Sequence, residues 1–260
     1  ENKDPWEMKF GDRVDQKLAD ERYPRQQRCY AFKDSTKHFF ADDIDYPYST
    51  EEGNNFEWIR GHHLGGRSLL WHRQSYRWGD LDFSSNARDG YGTDWPVRYK
   101  DMERWYDYVE EFVGVSGTME GLDQLPDGKF LPPIGFNCAE DEFAKRIENS
   151  FDDRRLIPGR CAHMTEPSDV HMELGRGTCQ SRNQCQRGCS LGAYFSSQSA
   201  TLPAAERTGN MTIVTDSIVH SVIYDEKTKK ATGVRIIDSN TKEKRIYSAK
   251  IIFLCASTLG

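Results

Sequence analysis

The stretch Arg60-Gly61-His62-His63-Leu64-Gly65-Gly66-Arg67-Ser68-Leu69-Leu70-Trp71 sets how the chain is read. Adjacent glycines remove two Cβ atoms, so the backbone there can lie against a flat or phosphorylated ligand. Ser68 and unpaired backbone N–H groups can donate to phosphate oxygens where a helix opens at such a turn. The same residues also describe a plain surface turn before a helix, and for a bare Gly-Gly that is the commoner meaning. His62 and His63 are tempting bases, but their place inside the Gly-rich stretch makes them backbone-positioned bystanders.

Downstream, His72-Arg73-Gln74-Ser75-Tyr76-Arg77-Trp78 is cationic and aromatic. It suits either a ligand face, where aromatic rings would stack on sugar C–H groups and cations would stabilise an anion, or an amphipathic helix. Arg98–Val113 follows Pro96 and repeats Met102, Trp105, Tyr106, Val109, Phe112 and Val113 at helical spacing, with Gly114 as its stop. A proline- and glycine-rich loop, 117–135, leads to a second predicted helix over about Glu140–Phe151, with Phe143, Ala144, Ile147 and Phe151 on one face. Residues 158–198 are Gly-, Cys- and Arg-rich and irregular, as are residues 1–56.

The last quarter reads as strands. Met211–Tyr224 is rich in Ile and Val, 225–230 is a charged turn, Ala231–Asp238 and Glu243–Ser248 are strands around a turn at 239–242, and Lys250–Cys255 is an apolar run of the kind buried on both faces.

Composition bounds these readings. With 260 residues, 37% hydrophobic and 29% charged, the chain can bury a substantial core. Thirteen Phe, twelve Tyr and six Trp exclude a solvated coil. A net charge of −6 argues against a nucleic-acid surface. With a mean hydropathy of −0.79, no run approaches the roughly 20 apolar residues of a membrane span. The chain opens Glu1-Asn2-Lys3 without Met and stops after the 250–255 run, so it is expected to be an internal segment; no compartment follows, cytoplasmic or exported.

Beyond these readings, the Gly-rich segment resembles the Arg-Gly-x-x-Leu-Gly-Gly-Ser-Ser motif beside the flavin in glucose–methanol–choline (GMC) oxidoreductases. Arg60, Gly61, Leu64, Gly65, Gly66 and Ser68 match, and Arg67 stands in place of the usual Ser or Thr. Trp71 is similar to the pyranose-oxidising branch, and Leu70 occupies the position where some of its members attach flavin covalently to His. Asn210–Val219 resembles the family strand whose final residue, here Val219, meets the FAD adenine through its backbone. Thr232-Gly233-Val234-Arg235 is similar to the strand that follows, and 251–260 to the buried strand and small-residue turn beside FAD, with Ala256 and Ser257 in the turn. The resemblance covers roughly residues 57–260 in family order.

Seven cysteines include three close together, Cys179, Cys185 and Cys189, spaced five and then three residues apart. Three thiolates in one irregular loop can converge on a soft metal. Zinc would need a fourth ligand, from His163 or His171, and a disulfide would leave one Cys over. The loop also resembles that of bacterial FAD-dependent glucose dehydrogenases, whose three Cys hold a three-iron, four-sulfur cluster. Here Ser190 replaces the Pro after the last Cys, and Gln180 stands where those proteins have an adjacent Cys. Cys29, Cys138, Cys161 and Cys255 read as buried small hydrophobes.

The resemblance implies an α/β (α+β mixed) fold, a fragment of a GMC-type FAD-binding domain with an inserted substrate domain. Residues 1–80 would be part of the FAD-binding domain, 81–170 mainly the substrate-domain insertion, 171–204 a Cys-rich loop region, and 205–260 the return to the FAD-binding domain. It implies FAD held near Leu64, Gly65, Gly66, Arg67, Ser68, Leu70, Trp71, Val219, Ala256 and Ser257. The implied partners are a sugar or glucoside substrate and an electron-transfer or small accessory subunit. The Gly-x-Gly-x-x-Gly start is absent; Gly175-Arg176-Gly177-Thr178-Cys179-Gln180 lacks its third Gly. The family's catalytic His is expected beyond Gly260, so no residue here is assigned to catalysis. Two other readings stand beside this one: a non-catalytic carbohydrate-binding or interaction module, and a structural metal-binding protein.

Overall fold

The computed structural model describes residues 5–54 and 56–257. The chain is a mixed α/β fold that divides into two compact units, the first ending at Gly209 and the second starting at Asn210.

In the first unit, helices form where local capping supports them. Helix α1 (Gln16–Arg22) starts at Asp15, whose carboxylate accepts from the Lys17 and Leu18 N–H groups at 3.0 and 3.4 Å. This helix interrupts a region read from sequence as irregular, because with only Ala19 buried it carries no apolar period. Single-turn helices α2 (Asp80–Phe83) and α3 (Ser85–Asp89) follow. Helix α4 (Tyr99–Val113) lies where the spacing predicts it and stops at Gly114, whose φ of 77° is left-handed. A Cβ on Gly114 would also sit 2.6 Å from Met164 Cε, so glycine is required there twice over.

The buried stripe of α4 differs from the predicted one. Glu110 and Val113 are buried, whereas Trp105 and Val109 are about half exposed. Helix α5 (Cys138–Ser150) begins two residues earlier than expected, at a capping box. Asn137 Oδ1 accepts from Ala139 and Glu140 N–H, and Glu140 Oε2 accepts from Asn137 N–H at 2.8 Å. Of its predicted apolar face only Ala144 is buried; Phe143 and Phe151 are exposed. Helix α6 (Asp169–Glu173) is short, and a π-type turn, Ser197–Thr201, runs into α7 (Leu202–Arg207).

Between helices, short extended segments pair without forming a regular sheet. Ser75 N–H donates to Arg160 O and Ala162 N–H to Arg73 O; residues 161–162 bond in turn to Ser116 and Phe195. The 72–78 stretch is therefore extended, and the helical alternative for it is corrected: its backbone donors and acceptors are taken up across strands.

An ion cluster fastens α4 to this ladder. The Arg77 side chain is 1% exposed. Its guanidinium meets Glu110 through Nε–Oε1 at 3.0 Å and Nη2–Oε2 at 2.5 Å, Asp107 at 2.5 Å and the Tyr99 hydroxyl at 2.9 Å. It also lies over the Tyr106 ring. These hydrogen bonds raise its pKa despite burial, so the cation is permanent. A Cβ on Gly128 would collide with both Glu110 Oε2 and Arg77 Nη2, so glycine alone fits beside the pair.

The second unit is a three-stranded antiparallel meander in the order β1 (Ser217–Asp225), β2 (Lys230–Asp238), β3 (Lys244–Ser248). Both predicted turns are present. Asp225 and Asp238 each fold back on the following residues, accepting from Lys227 N–H and from Asn240 and Thr241 N–H. Strand β1 starts six residues later than the predicted Met211. The apolar run 250–255 is not a buried strand: Ile251, Phe253 and Leu254 are 71%, 82% and 69% exposed. Without a paired neighbour among the described residues, an apolar segment has no ladder to join. Thr258, Leu259 and Gly260, the end of the expected small-residue turn, lie outside the described residues.

Replacing Arg77 with Ala strands Glu110 as a buried uncompensated charge and should cost about 3–5 kcal/mol. Arg77→Lys keeps the charge but loses the fork, so it should fall between. Chemical denaturation of the three proteins checks the order; equal midpoints for wild type and Arg77→Ala would refute the anchor.

Candidate functional site

The Gly-rich segment is held between two apolar clusters. Leu70, 5% exposed, packs with Ala31, Phe32 and Phe40. Its neighbour Trp71 packs instead against Val113, Val115 and Ala162. Trp71 Nε1–H donates to Phe195 O at 3.0 Å, and the Tyr194 hydroxyl donates to Trp71 O at 3.0 Å. The Tyr30 hydroxyl donates to Leu70 O at 2.5 Å. Consecutive side chains therefore anchor in different clusters.

The turn ahead of this pin is a short 3-10 helix, Gly66–Leu69. Gly65 and Gly66 have φ of 91° and 54°, which only glycine adopts freely. Gly65 is packed from behind: a Cβ there would stand 3.1 Å from Gln198 Cγ. At Gly66 a Cβ would meet nothing within 4 Å, so its backbone faces open space. Leu64 is 44% exposed beside it.

A polar brace runs from the turn to 196–199. Gln198 Nε2 donates to Leu64 O at 2.9 Å, Ser197 N–H donates to Ser68 Oγ at 2.9 Å, and Ser68 Oγ donates to Gly65 O at 2.5 Å. Arg67 donates to Ile59 O. His63 Nε2–H donates to Gly66 O at 2.9 Å with its ring against Phe39. Sequence reasoning missed 194–199 entirely; the only signal was the serine run after Gly192-Ala193. A cavity of about 300 Å3 opens beside this brace, lined by Leu69, Gly188, Tyr194, Ser196, Gln198 and two cysteines, Cys185 and Cys189.

Those cysteines are not grouped with other metal-ligating side chains among the described residues. All seven Cys are free thiols. Among the described residues no three His, Cys, Asp or Glu side chains are grouped to hold a metal. The iron–sulfur ligand set expected of Cys179, Cys185 and Cys189 is therefore not assembled. The candidate fourth ligands of a zinc site are occupied elsewhere: His163 Nε2 meets Ser116 Oγ, and His171 bonds to Glu111 and Ser168. The reading of the remaining four as buried holds for none outright: Cys138 and Cys255 are exposed, Cys29 and Cys161 half-buried.

In the second unit, Val219 sits at a β-bulge, with register shifting between Val219 and Ser221. A bulge leaves backbone groups outside the ladder, which suits a residue whose expected contact is through its main chain. Ala256 and Ser257 lie in exposed irregular chain, Ser257 with φ of 69°.

The comparisons with known proteins bear on the site at this point. Residues 163–260 match the family model for GMC oxidoreductases, the family that the Gly-rich segment, outside that match, resembles. It is 24% identical over 195 residues to the fructose dehydrogenase large subunit of Gluconobacter japonicus, covering 73% of this chain and 34% of that protein. It is 26% identical over 204 residues to 2-methyl-1,2-propanediol dehydrogenase of Mycolicibacterium austroafricanum, covering 76% of this chain and 35% of that one. The chain thus spans about a third of the length of these curated relatives.

Burial lowers the pKa of His63, His163 and His171 from 6.5. His171, 2% exposed, is held neutral: Nε2–H donates to Glu111 O at 2.8 Å, and Nδ1 accepts from Ser168 N–H at 3.1 Å. A depressed folded-state value means the unfolded chain takes up protons first. Stability is full above pH 6.5 and falls as pH drops below it toward the folded-state values. Denaturation across pH 7 to 5 should show that decline, and His171→Gln should make it shallower; an unchanged slope would remove His171 from the account.

Proposed function

We propose that the protein containing this chain is an FAD-dependent oxidoreductase acting on CH–OH groups of a sugar or glucoside and passing the electrons to an acceptor. The observation that carries the reading is the braced Gly65–Gly66 turn with its open backbone, in a chain that matches GMC oxidoreductases further along. FAD, when bound, would supply the hydride acceptor.

The residues fit such a group sterically. Leu64, Gly65 and Gly66 would take the flat ring system against bare backbone. Arg67, Ser68, Leu70 and Trp71 would support rather than touch, because their polar groups and faces are already engaged within the chain. Val219, Ala256 and Ser257 would offer main-chain contacts. Residues 81–170 would serve the substrate side. The sugar preference is supported by Trp71 and by a relative named for fructose; the other relative is named for a diol. An accessory subunit is suggested by the words "large subunit" in the first relative's name. No electron-transfer step is assigned to the Cys loop, whose thiols are not grouped.

Protein made from its native coding sequence should be yellow, release FAD on denaturation, and bleach anaerobically with a sugar or glucoside. Gly66→Ala should lower FAD content severalfold and Gly66→Leu further, while the added Cβ meets nothing within 4 Å and costs about 1–2 kcal/mol of left-handed strain. A colourless, flavin-free protein would overturn the reading. Metal analysis after anaerobic purification tests the Cys loop separately: about three irons per chain would establish a cluster there, and none, even after reconstitution, would exclude it.

A further inference from the structure

Trp78, Phe83 and Trp95 meet around a second cavity, of about 460 Å3, between the end of the 72–78 stretch and helices α2 and α3. The two indole centroids are 5.8 Å apart and inclined at 43°, and Phe83 lies 6.0 and 6.1 Å from them. Phe83 is buried and forms the floor; Trp78 and Trp95 are 50% and 47% exposed and form the walls. The volume falls within the roughly 300–1,000 Å3 of small-molecule sites.

The rim is polar and fixed. Asn86 Nδ2 donates to Thr93 O at 2.9 Å, which orients the amide and leaves Oδ1 as an acceptor. Asp82 holds the Gly79 N–H through Oδ2 at 2.9 Å, and its Oδ1 accepts nothing among the described residues. Arg88 forks onto Asp89 at 2.9 and 3.4 Å. Arg88 is thus already neutralised by Asp89, and Asp82 is the one lining carboxylate among the described residues.

We propose that this cup binds a neutral saccharide. A sugar ring has C–H faces that the electron-rich faces of indoles attract, and equatorial hydroxyls that need fixed acceptors at the edge. With the two indoles in contact at 5.8 Å, the sugar would lie against their exposed faces and not between them. The cup uses none of the residues of the Gly65–Gly66 turn and does not depend on the flavin reading. It gives the protein a saccharide contact of its own, whether or not the sugar bound there is the one oxidised.

The test titrates protein from its native coding sequence with methyl β-D-glucopyranoside, maltose and cellobiose, following tryptophan emission to roughly 50 mM, enough for a millimolar site. At least one sugar should give a saturable change. Trp95→Ala should weaken it at least tenfold and Asn86→Ala about threefold, while Trp95→Phe keeps most of it; melting curves establish that each variant is folded. No saturable change with any of the three sugars overturns the proposal. So does equal binding by folded Asn86→Ala and Trp95→Phe together with Trp95→Ala, or tighter binding of adenosine or tetramethylammonium. A colourless protein that still binds sugar here sinks the flavin reading alone, and a yellow protein indifferent to sugar at this cup sinks this one alone.

Discussion

The Arg77–Glu110 pair is the constraint on which the first unit depends. Removing two charges from water costs several kcal/mol each, and that cost is recovered only when every donor and acceptor is met in good geometry. Here the fork of Arg77 is met by two carboxylates and a phenol. Because the partners sit on α4 and the arginine on the extended 72–78 segment, the pair fixes the helix against the ladder at residues 73–75 and 160–162. The C-terminal end of α4 and the residue after its Gly114 stop then deliver Val113 and Val115 to the cluster that receives Trp71. One residue beyond Arg77, Trp78 turns outward into the aromatic cup. A polar contact thus locates both apolar features on which function is argued.

What was legible in the sequence followed from local rules. Helix α4 is written in its period and its glycine stop, and the meander in its two Asp-led turns. The Asn137-x-x-Glu140 capping box is equally local and sets the start of α5 at Cys138. The 250–255 run misled because hydrophobicity reports a tendency to be covered, not the presence of a neighbour. The face of α4 misled for the opposite reason. Glu110 reads as solvent-facing until Arg77, thirty-three residues earlier, supplies its partner, and no periodicity encodes that.

The candidate site divides the same way. Paired glycines announce an exposed backbone, and Gly66 presents one. Ser68 looked like a ligand donor from its neighbours in sequence; in space its hydroxyl closes the turn against Gly65 and Ser197. The cysteine spacing suggested convergence, but spacing constrains reach and not direction, and the three thiols are not grouped.

Leu70 and Trp71 point consecutive side chains into separate interiors. Inserting or deleting one residue anywhere in the turn would therefore exchange their destinations, sending an indole toward the space left by an isobutyl group and the reverse. The length of this loop is consequently as tightly specified as its composition. Variation in the turn should proceed by substitution at an exposed position such as Arg67, and not by the length changes that surface loops ordinarily tolerate.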